Sequence, residues 1–224
     1  MTYFGLQHRR DAILSPEFAA PGRNVADAPR VGVLALQGDF REHRVMLERL
    51  GAVTSEVRRA DAVAELDGLV IPGGESTALL NLMADEPWFP ALKRFKDAGG
   101  ALMGTCAGAI LLAREVVNPA QSSLGLLDAT IERNAFGRQV ESFETTLDAP
   151  RLGGTIEAVF IRAPRFQALG PNVETLAAYR GEPVLVREGR VLAMTFHPEL
   201  TRDAKLHVYF LTMAQTAAMT GRFQ

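Results

Sequence analysis

Val31-Gly-Val-Leu-Ala-Leu36 is a continuous apolar run of strand length, without the alternation of a strand that has one wet face. Such a run suits a parallel strand covered by helices on both sides. Beyond it, Phe40, Val45, Met46, Leu47 and Leu50 recur at helical spacing among charges, and Gly51 stands where that helix is expected to end. Residues 53–57 alternate as a short strand, Gly68-Leu-Val-Ile71 is another buried strand, and 77–84 and 88–98 read as helices. Ala101-Leu-Met103 then runs into Gly104-Thr-Cys-Ala-Gly108 and a helix expected to continue through Val116. Strands alternating with helices in this rhythm predict an α/β fold, a mostly parallel sheet flanked by helices, with functional loops beyond the strands' carboxyl ends.

The second half changes character. Strand-like segments fall around 130–131, 141–147, 155–161 and 174–179, which predicts an added antiparallel part. Residues 184–194 read as a hairpin whose two-residue turn is centred on Glu188-Gly189. Residues 203–219 are expected to close the chain as a helix.

Composition narrows the classes of function. The 224 residues hold 26 acidic and 24 basic side chains, so net charge recruits neither nucleic acid nor an anionic membrane. A single cysteine cannot form an internal disulfide and argues against a multi-cysteine zinc site. The longest uncharged stretch, residues 98–113, falls short of the roughly 20 apolar residues of a spanning helix. No signal-like apolar run occupies the first 29 residues, which places the protein in the cytoplasm. Those residues, with Pro16, Pro21, Gly22 and Pro29, read as a flexible leader without function, and 30–220 as a single domain.

Gly104-Thr-Cys-Ala-Gly108 has the G-x-C-x-G form of a nucleophile elbow, in which small neighbours allow a sharp strand-to-helix turn. Cys106 would stand at its tip, where a helix N-terminus favours a thiolate and the Ala107 N–H can meet an oxyanion. Taken alone, the pentapeptide fits equally well a turn that packs a helix on a strand, with Cys106 as filler. His197-Pro-Glu199 shifts that balance. In an extended segment residues two apart share a side, and the residue before a proline is held away from helical geometry, so His197 and Glu199 point together. A thiol, an imidazole to take its proton and a carboxylate to orient the imidazole make a triad. Pro72-Gly-Gly-Glu-Ser-Thr77 follows a buried strand and opens a helix, with Ser76 or Thr77 as the expected cap. Its glycines leave the Gly74 N–H able to serve as a second oxyanion donor.

These motifs, in this order, resemble the class I (triad) glutamine amidotransferases. More narrowly, residues 33–38, 73–77, 133–139, 141–143 and 160–164 look like the glutaminase subunits of pyridoxal 5'-phosphate synthase. The resemblance covers 31 to about 215 and omits only the leader. It implies a three-layer, flavodoxin-like fold and hydrolysis of L-glutamine to L-glutamate and ammonia, with no cofactor and no metal. It also implies that Gly74, Glu75, Ser76, Arg133, Ile161 and Arg162 line the glutamine site. Arg133 or Arg162 suits an amino-acid carboxylate, and Glu75 could meet the ammonium end. The implied partner is the synthase subunit, in a hetero-oligomer with many copies of each chain; on that basis the Gly73-Gly74 peptide is expected to be fully arranged only on docking. A glutaminase of another pathway, a silent scaffold on the same fold, and an esterase or peptidase are the competing readings.

Overall fold

The computed structural model describes residues 28–133, 135 and 142–221, with side chains up to 216. Nearly all of the leader, Asn134 and the stretch 136–141 lie outside the described residues.

Both faces of the central strands are apolar, and that decides the layering. Along β3 (Gly68–Ile71) and β4 (Ala101–Thr105), Leu69, Ile71 and Leu102 enter one core, and Val70, Ala101 and Met103 enter the other. Alternation with both sides buried demands helices on both sides. One core takes α2 (Ser76–Met83), α3 (Trp88–Asp97) and α4 (Ala107–Leu112) through Leu79, Trp88, Phe95 and Leu111. The other takes α1 (Phe40–Arg49) and α5 (Lys205–Gly221) through Leu47 and Phe210.

The remaining strands of this sheet are β1 (Arg30–Leu34), β2 (Val53–Val57), β10 (Glu174–Tyr179), β11 (Glu182–Glu188) and β12 (Val191–Met194). The order is β10-β11-β12-β4-β3-β1-β2. Pairing is parallel from β12 to β2 and antiparallel at β10-β11 and β11-β12. The expected three-layer α/β class and its antiparallel addition are both present. Two smaller sheets complete it. One joins β5 (Ala113–Val117), β6 (Leu127–Glu132) and β9 (Arg165–Leu169), and the other pairs β7 (Ser142–Ala149) with β8 (Gly154–Ile161).

Three local expectations need correction. The helix after Cys106 stops at Leu112, and residues 113–117 form a strand. The carbonyls of Leu111, Leu112 and Ala113 accept from the N–H groups of Leu124, Leu126 and Gly125 at 2.7, 2.9 and 3.1 Å, so a distant segment satisfies the helix end. The 184–194 hairpin is present, but Glu188 pairs with Val191, so the turn residues are Gly189-Arg190, with Gly189 at φ 56°. On α1 the buried face is His43, Met46 and Leu47, and Val45 is only half-buried.

Gly108 is the tightest point between helix and sheet: a Cβ there would overlap the Ile71 carbonyl oxygen and lie 2.8 Å from its carbon. Backbone cannot yield as a side chain can. Gly108→Ala should cost about 3 kcal/mol, the upper range for overpacking, and lower Tm by roughly 6–12 °C; an unchanged melting curve would contradict this packing. Phe210 is fully buried beneath the sheet, and Phe210→Ala should cost about 3–5 kcal/mol by denaturant titration.

Candidate active site

Cys106 follows β4 directly and caps α4 with φ 48°, a strained conformation for a residue with a side chain. The turn is fastened by the Cys106 N–H, which donates to the Met194 carbonyl of the adjacent strand at 2.9 Å. Ala107 is the first residue of α4, so its N–H has no carbonyl four residues back to bond. His197 leaves β12 in extended geometry, φ −112° and ψ 90°, and its N–H donates to the Val159 carbonyl of β8 at 2.8 Å. Pro198 begins a short turn that carries Glu199. β4 and β12 are parallel neighbours, with Met194 opposite Thr105, so both motifs emerge side by side at the same edge.

The three side chains meet. Cys106 stands close enough to His197 to act on its charge, and His197 Nδ1 lies 2.7 Å from Glu199 Oε1. Exposure is 8% for Cys106, 4% for His197 and zero for Glu199, so the pair works in a desolvated environment where each charge needs an answering charge. Burial opposes a charged imidazole, but Glu199 and Cys106 outweigh it and raise the His197 pKa well above its ordinary value. Burial likewise opposes an ionised Glu199, and His43 and His197 outweigh it, holding the carboxyl far below the usual range. Together these favour imidazolium beside carboxylate.

Gly73 and Gly74 lie against this centre. A Cβ on Gly73 would strike the His197 ring, 2.9 Å from Nδ1. A Cβ on Gly74 would run into the Gln37 side chain, whose Oε1 accepts from the Glu75 N–H at 3.0 Å. Glu75, not Ser76 or Thr77, caps α2: its oxygens accept from the Thr77 and Ala78 N–H groups at 3.0 and 2.7 Å. Burial raises its pKa, but those donors and Arg133 outweigh it and hold it below the usual range. Arg133, following β6, reaches Glu75 at 3.2 Å and the Thr77 hydroxyl at 2.9 Å. The two expected substrate residues are therefore brought together, with Glu75 already engaged on both oxygens. Ser76 is buried, and its hydroxyl donates to Gln121 Oε1 at 3.0 Å. Ile161 and Arg162 stand at the end of β8, Arg162 exposed at φ 45°, close along the strand to the Val159 carbonyl that holds His197.

Asp39, His197 and Glu199 offer three possible metal-ligand atoms within 4.8 Å. A cation there would compete with the hydrogen bond between His197 and Glu199. Sequence reading missed Gln37, Asp39, His43 and His207. Two signals were available: Gln37 and Asp39 follow a buried strand, and His43 and His207 interrupt apolar helix faces.

Comparison with known proteins identifies the family. A Thermus thermophilus protein described as pyridoxal 5'-phosphate synthase subunit PdxT is 55% identical, over 82% of this chain and 97% of the relative. Its Thermosipho africanus namesake is 50% identical, over 83% and 99%. A solved structure described as a glutamine amidotransferase superposes with a TM-score of 0.78 at 54% identity, covering 82% of this chain and 98% of the other. Residues 33–216 match the SNO glutamine amidotransferase family, and the chain belongs to that family.

Proposed function

We propose that this chain hydrolyses L-glutamine to L-glutamate and ammonia and delivers the ammonia to a synthase subunit that makes pyridoxal 5'-phosphate. The observation that carries the reading is the His197–Glu199 hydrogen bond at 2.7 Å, with Glu199 fully buried and Cys106 beside the same imidazole at the strained turn after the neighbouring strand. Relatives at about half identity named as subunits of that synthase support the partner.

In this reading the Cys106 thiolate adds to the side-chain carbonyl carbon of glutamine, and the Gly74 and Ala107 N–H groups receive the oxyanion. His197 gives its proton to the leaving nitrogen, the C–N bond breaks, and ammonia departs from a glutamyl thioester. Water, deprotonated by the same His197, adds to the thioester; the C–S bond breaks, glutamate leaves, and the thiol is restored. Glu199 keeps the imidazole oriented and answers its charge. Arg133 and Arg162 supply guanidinium groups for the substrate carboxylate, with Gly74, Glu75, Ser76 and Ile161 lining the remainder.

Ammonia released into water would be protonated and lost as a nucleophile, which is the chemical reason for a docked synthase. The Gly73 carbonyl accepts from the Asp39 N–H at 3.3 Å, a long bond that a docked partner could break to turn the Gly74 N–H toward the oxyanion. The same reading assigns 30–220 to one amidotransferase domain working in the cytoplasm. No described helix is long and apolar enough to cross a membrane.

Ammonia release from glutamine, measured with and without the purified synthase subunit, tests this directly. The rate should rise on adding the synthase and fall to background in Cys106→Ala; equal rates with and without it, or an active Cys106→Ala, would overturn the reading. Gly73→Ala should displace the His197 ring and lower kcat about a hundredfold, the scale of an ångström misplacement, with a wild-type rate as the contrary result.

A further inference from the structure

The glutaminase reading uses one oxygen of Glu199. The other, Oε2, lies 3.3 Å from His43 Nε2, and the opposite ring nitrogen of His43 lies 3.0 Å from His207 Nε2. Glu199, His43 and His207 all have zero exposure. His43 Nε2 is also 3.3 Å from the hydroxyl of Thr105, the residue before Cys106. Three of the chain's four histidines thus stand in one line with the carboxylate.

The order of protons along this line follows from the partners. An ionised Glu199 only accepts, and Oε2 has no aligned hydrogen-bond donor among the described residues, so a proton on His43 Nε2, 3.3 Å away, is the one placed to answer it. His207 Nδ1 is buried with no hydrogen-bond partner among the described residues. A buried donor left unpaired is costly, so the His207 proton belongs on Nε2, pointing at His43. Burial, reinforced by His43, pushes the His207 pKa down to about 3, consistent with a neutral ring that donates once. The result is one-directional: His207 Nε2–H donates to His43 Nδ1, and the His43 Nε2 proton lies between the Thr105 hydroxyl and Glu199 Oε2.

We propose that His43, aimed by His207, is a positioning residue for Glu199, fixing the carboxylate so that its other oxygen holds His197 toward Cys106. This rests on the glutaminase reading of the triad. His43 comes from α1 and His207 from α5, so both helices on one face of the sheet are tied to the reacting centre. The titratable groups around Glu199 are His197 after β12, His43, His207 beyond it, Cys106 after β4, and Asp39, whose Oδ2 is 3.9 Å from His197 Nδ1.

Two amide replacements separate positioning from packing. In His43→Gln the side-chain nitrogen reaches the place of Nε2 and can still donate to Glu199. In His43→Asn the amide reaches only the place of Nδ1, toward His207. The readout is the rate of Cys106 alkylation by iodoacetamide against pH on the free chain; with one cysteine, intact mass reports Cys106 alone, without glutamine or synthase. His43→Asn should move the acid edge of alkylation up by about one pH unit and lower kcat with synthase about tenfold, KM unchanged, as loss of one buried polar contact to the carboxylate implies. His43→Gln should recover most of both. An edge in His43→Asn that coincides with wild type, or equal shifts in both variants in step with their melting temperatures, would overturn the proposal. Nitrogen-15 histidine spectra of the unmutated chain at neutral pH should show His43 protonated at Nε2 and His207 unprotonated at Nδ1; the reverse tautomers would overturn it equally. Should the wild type release no ammonia with the synthase, the glutaminase reading fails, while alkylation and tautomers still decide the role of His43.

Discussion

The arrangement depends on an ionised carboxylate placed where water does not reach. Removing a carboxylate from water costs several kcal/mol even after the protein relaxes, and the cost is recovered only if both oxygens find donors. Glu199 Oε1 takes the hydrogen bond of His197 Nδ1 at 2.7 Å, and His43 Nε2 answers Oε2 from 3.3 Å as an ion-pair contact. Each donor comes from a different part of the chain, so the carboxylate can be satisfied only in the assembled fold. The strand β12, the helix α1 and, through His207, the helix α5 must all be in place before the charge is answered.

The proposed nucleophile is subject to a second constraint. Cys106 holds a left-handed φ at a cost of about 1–3 kcal/mol, and it keeps that conformation because its surroundings leave no alternative. Gly104 and Gly108 let the strand and helix close on each other, the Cys106 N–H is tied to Met194, and the helix that follows is buried along its length. The strained turn and the buried carboxylate are placed by the same pair of neighbouring strands, β4 and β12. Orientation of the thiol, the imidazole and the carboxylate is therefore settled by sheet register before any substrate arrives, which is the form in which positioning contributes most to rate.

Much of this was legible because the central strands are apolar on both faces, which gives runs such as Val31 to Leu36 and Gly68 to Ile71 that few other structures explain. The elbow and His197-Pro-Glu199 were legible for a related reason: their geometry is local, set by small residues around Cys106 and by the proline after His197. What escaped was set by distant partners. The α4 helix ends early because residues 124–126 take its last carbonyls, and nothing within 107–116 signals that. Glu75 caps α2 with an extra bond from Arg133, 58 positions away, whereas Ser76 and Thr77 have the commoner capping side chains. In the sequence His43 is one polar residue of an amphipathic helix; its partner His207 is 164 positions away, and only the folded chain gives that residue a chemical meaning.

Family membership and the geometry of the triad meet at Cys106, so the decisive measurement is chemical modification of that atom by a substrate mimic. A glutamine analogue bearing an electrophile in place of its side-chain amide should add once, at Cys106, in the presence of the synthase subunit, and excess glutamine should protect against it. Absence of an adduct, or an adduct that glutamine does not suppress, would contradict the account.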